Sequence, residues 1–141
     1  MLLQQHGLKN VSELDWGDSV AISGLKFHFL EAVHSSRRGL SDTDKSLWGS
    51  FLIQTPEGNI YFAGDTAYGR QFNKVYECFG PPELAFLPIG AYKPRWFMAR
   101  EHMDPEEWCG HTWISTAARV SPSTSTRSTP RKKALMTQST T

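Results

Sequence analysis

Two residues of types that bind metal ions stand at the ends of predicted strands. The apolar run 59–63 ends at a glycine, and Asp65 follows it directly. His34 ends another predicted strand upstream. Divalent zinc or iron accepts carboxylate oxygen and imidazole nitrogen, and strand ends hold such ligands rigidly. Asp65 and His34 are therefore candidate metal ligands. The alternatives are that Asp65 caps a helix beginning near Gly69 and that the loop after His34 satisfies its ring.

A third candidate, His102, precedes a clear helix start. Asp-Pro-Glu-Glu at 104–107 combines an acidic N-cap, a proline at the first helical position and acids in the first turn. Upstream, Tyr92, Arg95 and Trp96 follow the apolar run 84–89. Arg95 could pair with a phosphate, and Trp96 with its apolar neighbours could line a cleft. The alternatives are an exposed loop histidine and ordinary packing of this loop on the core.

The elements that must position these residues alternate between strands and a helix. Strands 19–22 and 25–30 form a hairpin across Ser-Gly, with His28 on the face that we expect to meet solvent. A second hairpin joins 48–54 to 59–63 across Pro-Glu-Gly. An amphipathic helix over 71–79, ended by Gly80, precedes the buried strand 84–89. This pattern predicts an α/β fold.

Composition divides the 141 residues into two regions. Residues 1–107 carry 10 Lys and Arg against 14 Asp and Glu, whereas 108–141 carry five basic residues and no acid. We predict a folded domain over 1–107 and a Ser/Thr-rich basic tail over 108–141, disordered from about Ser115. Cys78 and Cys109 lack a C-x-x-C spacing and are expected to be reduced thiols. No run resembles a membrane span.

The helix start at 104–107 continues poorly. Periodic apolar residues should follow it, but the chain reads Trp108-Cys109-Gly110-His111 and turns Ser/Thr-rich. We therefore expect that the chain leaves its ancestral reading frame near Trp108, and resequencing the coding DNA tests this.

Three blocks of sequence together carry a family resemblance. They are Ala32-Val33-His34-Ser35-Ser36 with Arg38-Gly39-Leu40; Leu47-Trp48-Gly49-Ser50-Phe51 leading to Gly64-Asp65-Thr66-Ala67-Tyr68; and Leu87 to Met98 with His102 to Glu107. They resemble the metallo-β-lactamase superfamily, in particular its N-acyl-phosphatidylethanolamine-hydrolysing phospholipase D branch and bacterial relatives. The resemblance covers about residues 1–107 and implies roughly the second half of an αββα sandwich.

The resemblance also implies roles for individual residues. His34 is similar to the histidine that ligates the first metal, and Asp65 to the carboxylate that bridges two zinc ions. His102 is similar to an active-site histidine beside the metals, not a ligand to them. Such enzymes hydrolyse a phosphodiester, here of an N-acylated phospholipid, with water activated by the metals. Peripheral membrane contact and a cytoplasmic or membrane-peripheral location follow as expectations.

Two departures from the family pattern lower the activity that we expect. The H-x-H-x-D-H motif does not occur in the 141 residues, so we expect it upstream of Met1. The family's final ligand histidine is also missing, and His111 stands in the wrong context to replace it. With two ligand positions the chain alone is expected to be weak or inactive, because zinc sites need at least three protein groups. Lys93 stands where relatives commonly carry an acid.

Two alternatives remain open. One is another hydrolase of the same superfamily, such as a lactonase; a nuclease is disfavoured because residues 1–107 lack a basic patch, and no nucleic-acid partner is expected. The other is a non-catalytic remnant with an exposed apolar face.

Overall fold

One mixed sheet with helices beside it forms the described part of the chain. The computed structural model describes residues 6–7, 9–36, 44, 46–109 and 119–123, and it gives 108, 109 and 119–123 by their backbone. The elements in chain order are β1 (Ser19–Ile22), β2 (Leu25–Leu30), β3 (Ser50–Thr55), β4 (Gly58–Phe62), α1 (Gln71–Phe79), β5 (Leu84–Pro88), α2 (Arg95–Met98), α3 (Pro105–Cys109) and β6 (Arg119–Ser123). Among these residues no helix is both long and apolar enough to cross a bilayer.

Local turn chemistry fixes the two hairpins. Ser23 and Gly24 both have positive φ, 53° and 81°, which suits the right-handed twist of the flanking strands. β1 and β2 pair from Ile22–Leu25 outward, as predicted. β3 and β4 pair from Thr55–Gly58 outward, so this loop holds only two residues. The predicted hairpins are confirmed, with the ends of the second displaced by one or two residues.

The strands follow one another across the sheet in the order β1 to β6. β1 to β4 are antiparallel, whereas β5 runs parallel to β4 and β6 parallel to β5. The crossover from β4 to β5 contains α1, as a parallel connection requires. The carboxyl ends of such strands are where ligands bind in α/β sheets. Asp65 lies in the turn that leaves β4.

α1 covers one face of the sheet and closes the core. Leu52, Tyr61 and Ala85 are neighbours in register on that face, and Phe72 and Val75 of α1 pack against them. All five side chains are at most 3% exposed. Burial raises the pKa of Tyr61 to about 12, and a hydrogen bond with Ser50 partly offsets that rise.

The opposite face carries a row of phenylalanines. Phe29, Phe51, Phe62 and Phe86 follow one another in register across β2 to β5. Phe29 and Phe51 have ring centroids 5.2 Å apart, and Phe62 and Phe86 6.0 Å. Phe51 and Phe62 are nevertheless 37% and 43% exposed. The sheet is therefore apolar on both faces, although α1 packs on only one.

The prediction that His28 faces solvent is wrong. His28 is 9% exposed, its Nε2 is 2.9 Å from the Gln54 Oε1, and its ring centroid is 4.8 Å from that of Phe79. Strand alternation assigned His28 correctly to the face opposite Phe27. It did not tell which face a helix would cover, because α1 comes more than forty residues later in the chain.

The tail is also more ordered than predicted at one point. β6 lies within the region expected to be disordered from Ser115, and it pairs with β5 over five residues. The open edge of β5 offers unpaired backbone groups, and pairing with them depends little on side-chain composition. Residues 110–118 and 124–141 lie outside the described residues. The domain boundary at Glu107 and the change of reading frame stay predictions.

Candidate metal centre

A buried threonine joins the three segments that carry the predicted site residues. Thr66 is fully buried, and its Oγ1 accepts a hydrogen bond from the backbone N–H of Val33 at 2.9 Å. The Ala67 N–H donates in turn to the Val33 carbonyl at 2.8 Å. The Met103 N–H donates to the Thr66 carbonyl at 3.1 Å. Segments far apart in sequence are thereby held together at the carboxyl end of β4.

Each predicted site residue is the chain neighbour of a residue in this junction. His34 follows Val33, Asp65 precedes Thr66, and His102 precedes Met103. The Met103 side chain is fully buried in the core, which anchors the segment that carries His102. The structure therefore brings the three positions onto adjacent segments, although only two of the three side chains come into close contact.

His34 and His102 meet in a cluster that includes a carboxylate. Their rings are 5.3 Å apart between centroids and nearly perpendicular, at 87°. The Glu101 Oε2 is 3.8 Å from the His34 Nε2. One donor atom from each of His34, Glu101 and His102 lies within 4.8 Å of the other two. Two imidazoles and one carboxylate are the donor set of many zinc and iron sites.

The hydrogen bonds around His34 orient its ring for a ligand. The His34 Nδ1 is 2.6 Å from the Ser35 carbonyl oxygen, which accepts only, so Nδ1 carries the hydrogen. In the neutral ring the lone pair is then on Nε2. That nitrogen is buried and has no hydrogen-bond partner among the described residues. An unpartnered buried acceptor costs free energy, so Nε2 is suited to receive a metal ion.

Sequence reasoning missed Glu101. Its Oε1 accepts a hydrogen bond from the Ser35 Oγ at 2.6 Å, which turns Oε2 towards His34. Nothing in the sequence separates Glu101 from the other acids except its position directly before His102. The contact with Ser35 spans 66 residues and depends on the tertiary fold.

Asp65 is exposed and stands outside that cluster. The suggestion that it caps the following helix is wrong, because Arg70 is the N-cap of α1 and no side chain caps it. The described residues form no hydrogen bond to its carboxylate. Gly64 sets the turn, since its φ is +66° and a Cβ there would lie 3.0 Å from the Gly49 carbonyl oxygen.

Arg95 is engaged by its own loop. Its Nη1 donates to the His102 carbonyl at 2.9 Å, and its Nη2 donates to the Glu107 Oε1 at 2.7 Å. The Asp104 Oδ2 is 3.4 Å from its Nε. These bonds hold the backbone at His102 in place. The phosphate-pairing role of Arg95 stays a prediction.

The predicted helix start beside His102 is confirmed. The Asp104 Oδ1 accepts from the backbone N–H groups of Glu106 and Glu107, at 2.9 and 2.8 Å. The Glu107 Oε2 accepts from the Asp104 N–H at 3.0 Å. This reciprocal capping box begins α3 immediately after the His102 segment.

A surface pocket with three apolar and two charged lining residues adjoins the cluster. It has a volume of about 410 Å³, and its lining is Trp96, Phe97, Met98, Arg100 and Glu101. Trp96 and Phe97 are 84% and 64% exposed. The pocket opens beside Glu101, and the role of Trp96 in lining a substrate cleft stays a prediction. Tyr92 is half-buried, with the Lys93 Nζ 5.7 Å from its ring centroid.

Comparison with known proteins gives both a family match and similar proteins. The family model described as the beta-lactamase superfamily domain matches residues 2–123. The N-acyl-phosphatidylethanolamine-hydrolyzing phospholipase D 1 of Caenorhabditis elegans is 41% identical over 106 residues, which cover 72% of this chain and 30% of that protein. The mitochondrial N-acyl-phosphatidylethanolamine-hydrolyzing phospholipase D of Saccharomyces cerevisiae is 39% identical over 113 residues, covering 74% of this chain and 24% of that protein.

A solved structure supports the fold. A metallo hydrolase from the archaeon Ignicoccus hospitalis superposes with a TM-score of 0.62 at 23% identity, covering 85% of this chain and 47% of the other. The predicted α/β fold, in which the chain forms part of an αββα sandwich, is confirmed. The aligned part of the chain spans less than a third of each curated relative above.

Proposed function

The chain belongs to the metallo-β-lactamase superfamily, as predicted, and from this premise we propose that it carries part of the active centre of a zinc-dependent phosphodiesterase. The proposed substrate is an N-acylated phospholipid, because 41% of 106 aligned residues are identical to the C. elegans phospholipase D. The proposed centre includes His34, Asp65 and His102.

The observation that carries this proposal is the junction at Thr66. Its hydrogen bonds to Val33 and Met103 bring the neighbours His34, Asp65 and His102 to one end of the sheet. No local feature of the sequence requires residues so far apart to meet. A site built at strand ends requires that its residues, although distant in sequence, be held close together.

The residues present fit a bound metal ion. The His34 Nε2 is buried without a partner among the described residues and has its lone pair available. His34 and Asp65 would hold zinc, which when bound supplies Lewis acidity and lowers the pKa of water. Zinc accepts both imidazole nitrogen and carboxylate oxygen.

The remaining residues would bind and orient the lipid. The His102 ring faces His34 and can donate a hydrogen bond to a phosphate oxygen. In this proposal an acyl chain lies in the surface pocket beside Glu101, against the side chains of Trp96 and Phe97. In this proposal Tyr92 and Arg95 contribute at the substrate side of the same loop.

A chimera tests the proposal in a full-length setting. The matching segment of the C. elegans enzyme would be replaced by the corresponding residues of this chain, and hydrolysis of N-acyl-phosphatidylethanolamine in mixed micelles would be measured. We expect the chimera to be active and His34→Ala or Asp65→Asn to lower kcat/KM about 100-fold or more. Glu77→Gln, a matched change of an exposed acid on α1, should leave activity unchanged.

Two results would reject the function. A folded, zinc-loaded chimera without hydrolysis would show that these residues cannot serve this reaction. If the His34→Ala and Asp65→Asn variants were as active as the unchanged chimera, neither residue would take part in the reaction. A lactone substrate run in parallel tests the lactonase alternative.

A further inference from the structure

The single turn of α2 presents two aromatic side chains that the described part of the chain leaves uncovered. Trp96 and Phe97 are 84% and 64% exposed, the highest exposed fractions among the large apolar side chains described. Their ring centroids are 5.7 Å apart, so the two rings form one continuous patch. We propose that this turn docks the protein on a membrane that contains anionic lipids, with Trp96 and Phe97 inserted among the headgroups.

The residue types on this turn are those that lie at a membrane–water interface. Tryptophan is enriched there because its indole combines an apolar ring with a polar N–H. Phe97 adds apolar area that leaves water when it reaches the acyl chains. Arg100 lines the same surface pocket as the aromatic pair, so it stands beside them. Basic residues next to exposed Trp and Phe are typical of segments that lie in the interface.

The charges beside the aromatic pair favour an anionic surface. The stretch from Lys93 to Arg100 has three basic residues and no acid. Arg95 is neutralised by Asp104 and Glu107, whose carboxylates lie 3.4 and 2.7 Å from its guanidinium. Lys93 and Arg100 are exposed, and neither forms an ion pair with the described residues. An anionic bilayer attracts such groups when they come within a Debye length of its surface.

The other two acids of this loop do not cancel that attraction. Glu101 is turned inward, because its Oε1 accepts a hydrogen bond from the Ser35 hydroxyl at 2.6 Å. Glu106 is an exposed acid on α3. The two free basic groups, Lys93 and Arg100, therefore outnumber the one free acid.

The backbone of the turn is suited to contact with lipid. The N–H groups of Phe97 and Met98 donate to the Pro94 carbonyl, at 3.1 and 3.0 Å. The Ala99 N–H donates to the Arg95 carbonyl at 3.0 Å. Groups that are paired within the turn lose no hydrogen bond when lipid displaces the water around them.

A membrane fits this surface better than a protein partner does. A stable protein interface buries about 800 Å² on each partner, with a well-packed apolar core. Here one turn offers two aromatic side chains among charged ones, which is enough for shallow insertion. The proposal rests on the proposed function in that this surface is where a lipid substrate would be met. Vesicle binding, however, is measured without catalysis.

Flotation of the 141-residue chain with vesicles tests the proposal. Vesicles of phosphatidylcholine and phosphatidylserine are mixed with the chain and floated through a density gradient, which leaves aggregates of the chain at the bottom. We expect the chain to float, and Trp96→Ala combined with Phe97→Ala to lower its apparent affinity about tenfold or more. Tyr76→Ala is the matched control, because Tyr76 is an aromatic residue 42% exposed on α1. It should float as the unchanged chain does.

A charge reversal tests the choice of anionic lipid. Arg100→Glu should weaken binding to the same vesicles several-fold. Arg70→Glu, the same change at the N-cap of α1, should not. An equal loss in both variants would show that the net charge of the chain governs binding, and it would reject this surface as the docking site.

Fluorescence quenching locates the contact and does not depend on a change in affinity. Lipids brominated along the acyl chain quench the tryptophans that reach them. The chain has five tryptophans, and Trp96→Phe should remove most of the quenching while the protein stays on the vesicles. Quenching that persists in Trp96→Phe would reject the insertion of this turn.

Three results of flotation would also overturn the proposal. They are no flotation of the unchanged chain, which would leave the aromatic pair to a protein partner; unchanged flotation of the Trp96 and Phe97 double variant; and a loss in Phe51→Ser with Phe62→Ser, which would place the contact on the phenylalanine row. Circular dichroism checks that each variant folds.

The same measurements separate the docking surface from the proposed function. Flotation without hydrolysis by the chimera would leave the surface standing and reject the function. Hydrolysis in mixed micelles, with no flotation of the 141-residue chain, would do the reverse.

Discussion

At the scale of single residues, the hydroxyl of Thr66 holds together segments on which the predicted site depends. It accepts from the Val33 N–H and from the Gln71 side-chain amide, at 2.9 and 3.2 Å, and it is fully buried. The two donors lose their acceptor when the hydroxyl is absent. Its backbone partner Val33 directly precedes the candidate metal ligand His34.

Thr66→Val should therefore destabilise the fold and weaken metal binding together. Valine keeps the shape but leaves buried donors without an acceptor, which costs about 1–3 kcal/mol. Urea denaturation followed by circular dichroism measures the loss. Thr55→Val is the matched control, because the Thr55 hydroxyl lies in the β3–β4 turn, bonded to Glu57 and Gly58. An equal loss of unfolding free energy in Thr66→Val and Thr55→Val would contradict the role of the Thr66 hydroxyl in joining the segments.

Tyr61 gives a prediction of how stability depends on pH. Its folded pKa is about 12, against 10.0 for an ordinary tyrosine, because burial disfavours the phenolate. Below pH 10 the phenol is neutral in both the folded and the unfolded chain, so its stabilising contribution is fully present. Between about pH 10 and pH 12 the unfolded chain releases the proton first, and about 2–3 kcal/mol is lost.

Tyr61→Phe should remove that part of the alkaline dependence. Denaturation midpoints of both proteins, measured from pH 8 to pH 12, give the comparison. If both curves fall in parallel above pH 10, then lysine titration accounts for the loss and the prediction for Tyr61 is wrong.

At the scale of elements, the loop from α2 to α3 depends on Arg95. The guanidinium joins the His102 carbonyl to Glu107, so it connects the segment that carries His102 to the first turn of α3. Arg95→Lys keeps the charge but cannot make both bonds in the same fork geometry. We expect faster amide hydrogen exchange over 95–107, by about tenfold, with little change in global stability.

Arg70→Lys, at the exposed N-cap of α1, is the control for this change. The same experiment separates the two roles considered for Arg95. If Arg95 bound phosphate and had no structural role, Arg95→Lys would lower the affinity for inorganic phosphate and leave hydrogen exchange over 95–107 unchanged.

The elements that the sequence predicted well are those determined by local chemistry. The Ser23-Gly24 turn, the Gly80 stop and the Asp104 cap each depend on residues within a few positions, and all three occur. His28, Glu101 and β6 were mispredicted or missed because their environments are made by distant segments. α1 covers His28, Ser35 orients Glu101, and the edge of β5 receives β6.

At the scale of the whole molecule, the two faces of the sheet are unequal. α1 packs on the face that carries Leu52 and Tyr61, whereas Phe51 and Phe62 on the other face stay more than a third exposed. An αββα sandwich packs two sheets face to face, and apolar inner faces interdigitate in such packing. A phenylalanine row is suited to that role and is poorly suited to contact with water.

We therefore expect the 141-residue chain alone to self-associate through this face at micromolar concentrations. Phe51→Ser combined with Phe62→Ser should shift it towards the monomer in sedimentation velocity and lower its binding of a hydrophobic dye. The matched control is Tyr76→Ser, which removes an aromatic side chain that is 42% exposed on α1. Because α1 packs on the opposite face of the sheet, this change should leave association as it was. A monomeric unchanged chain, or equal effects of both changes, would mean that the phenylalanine face does not drive association.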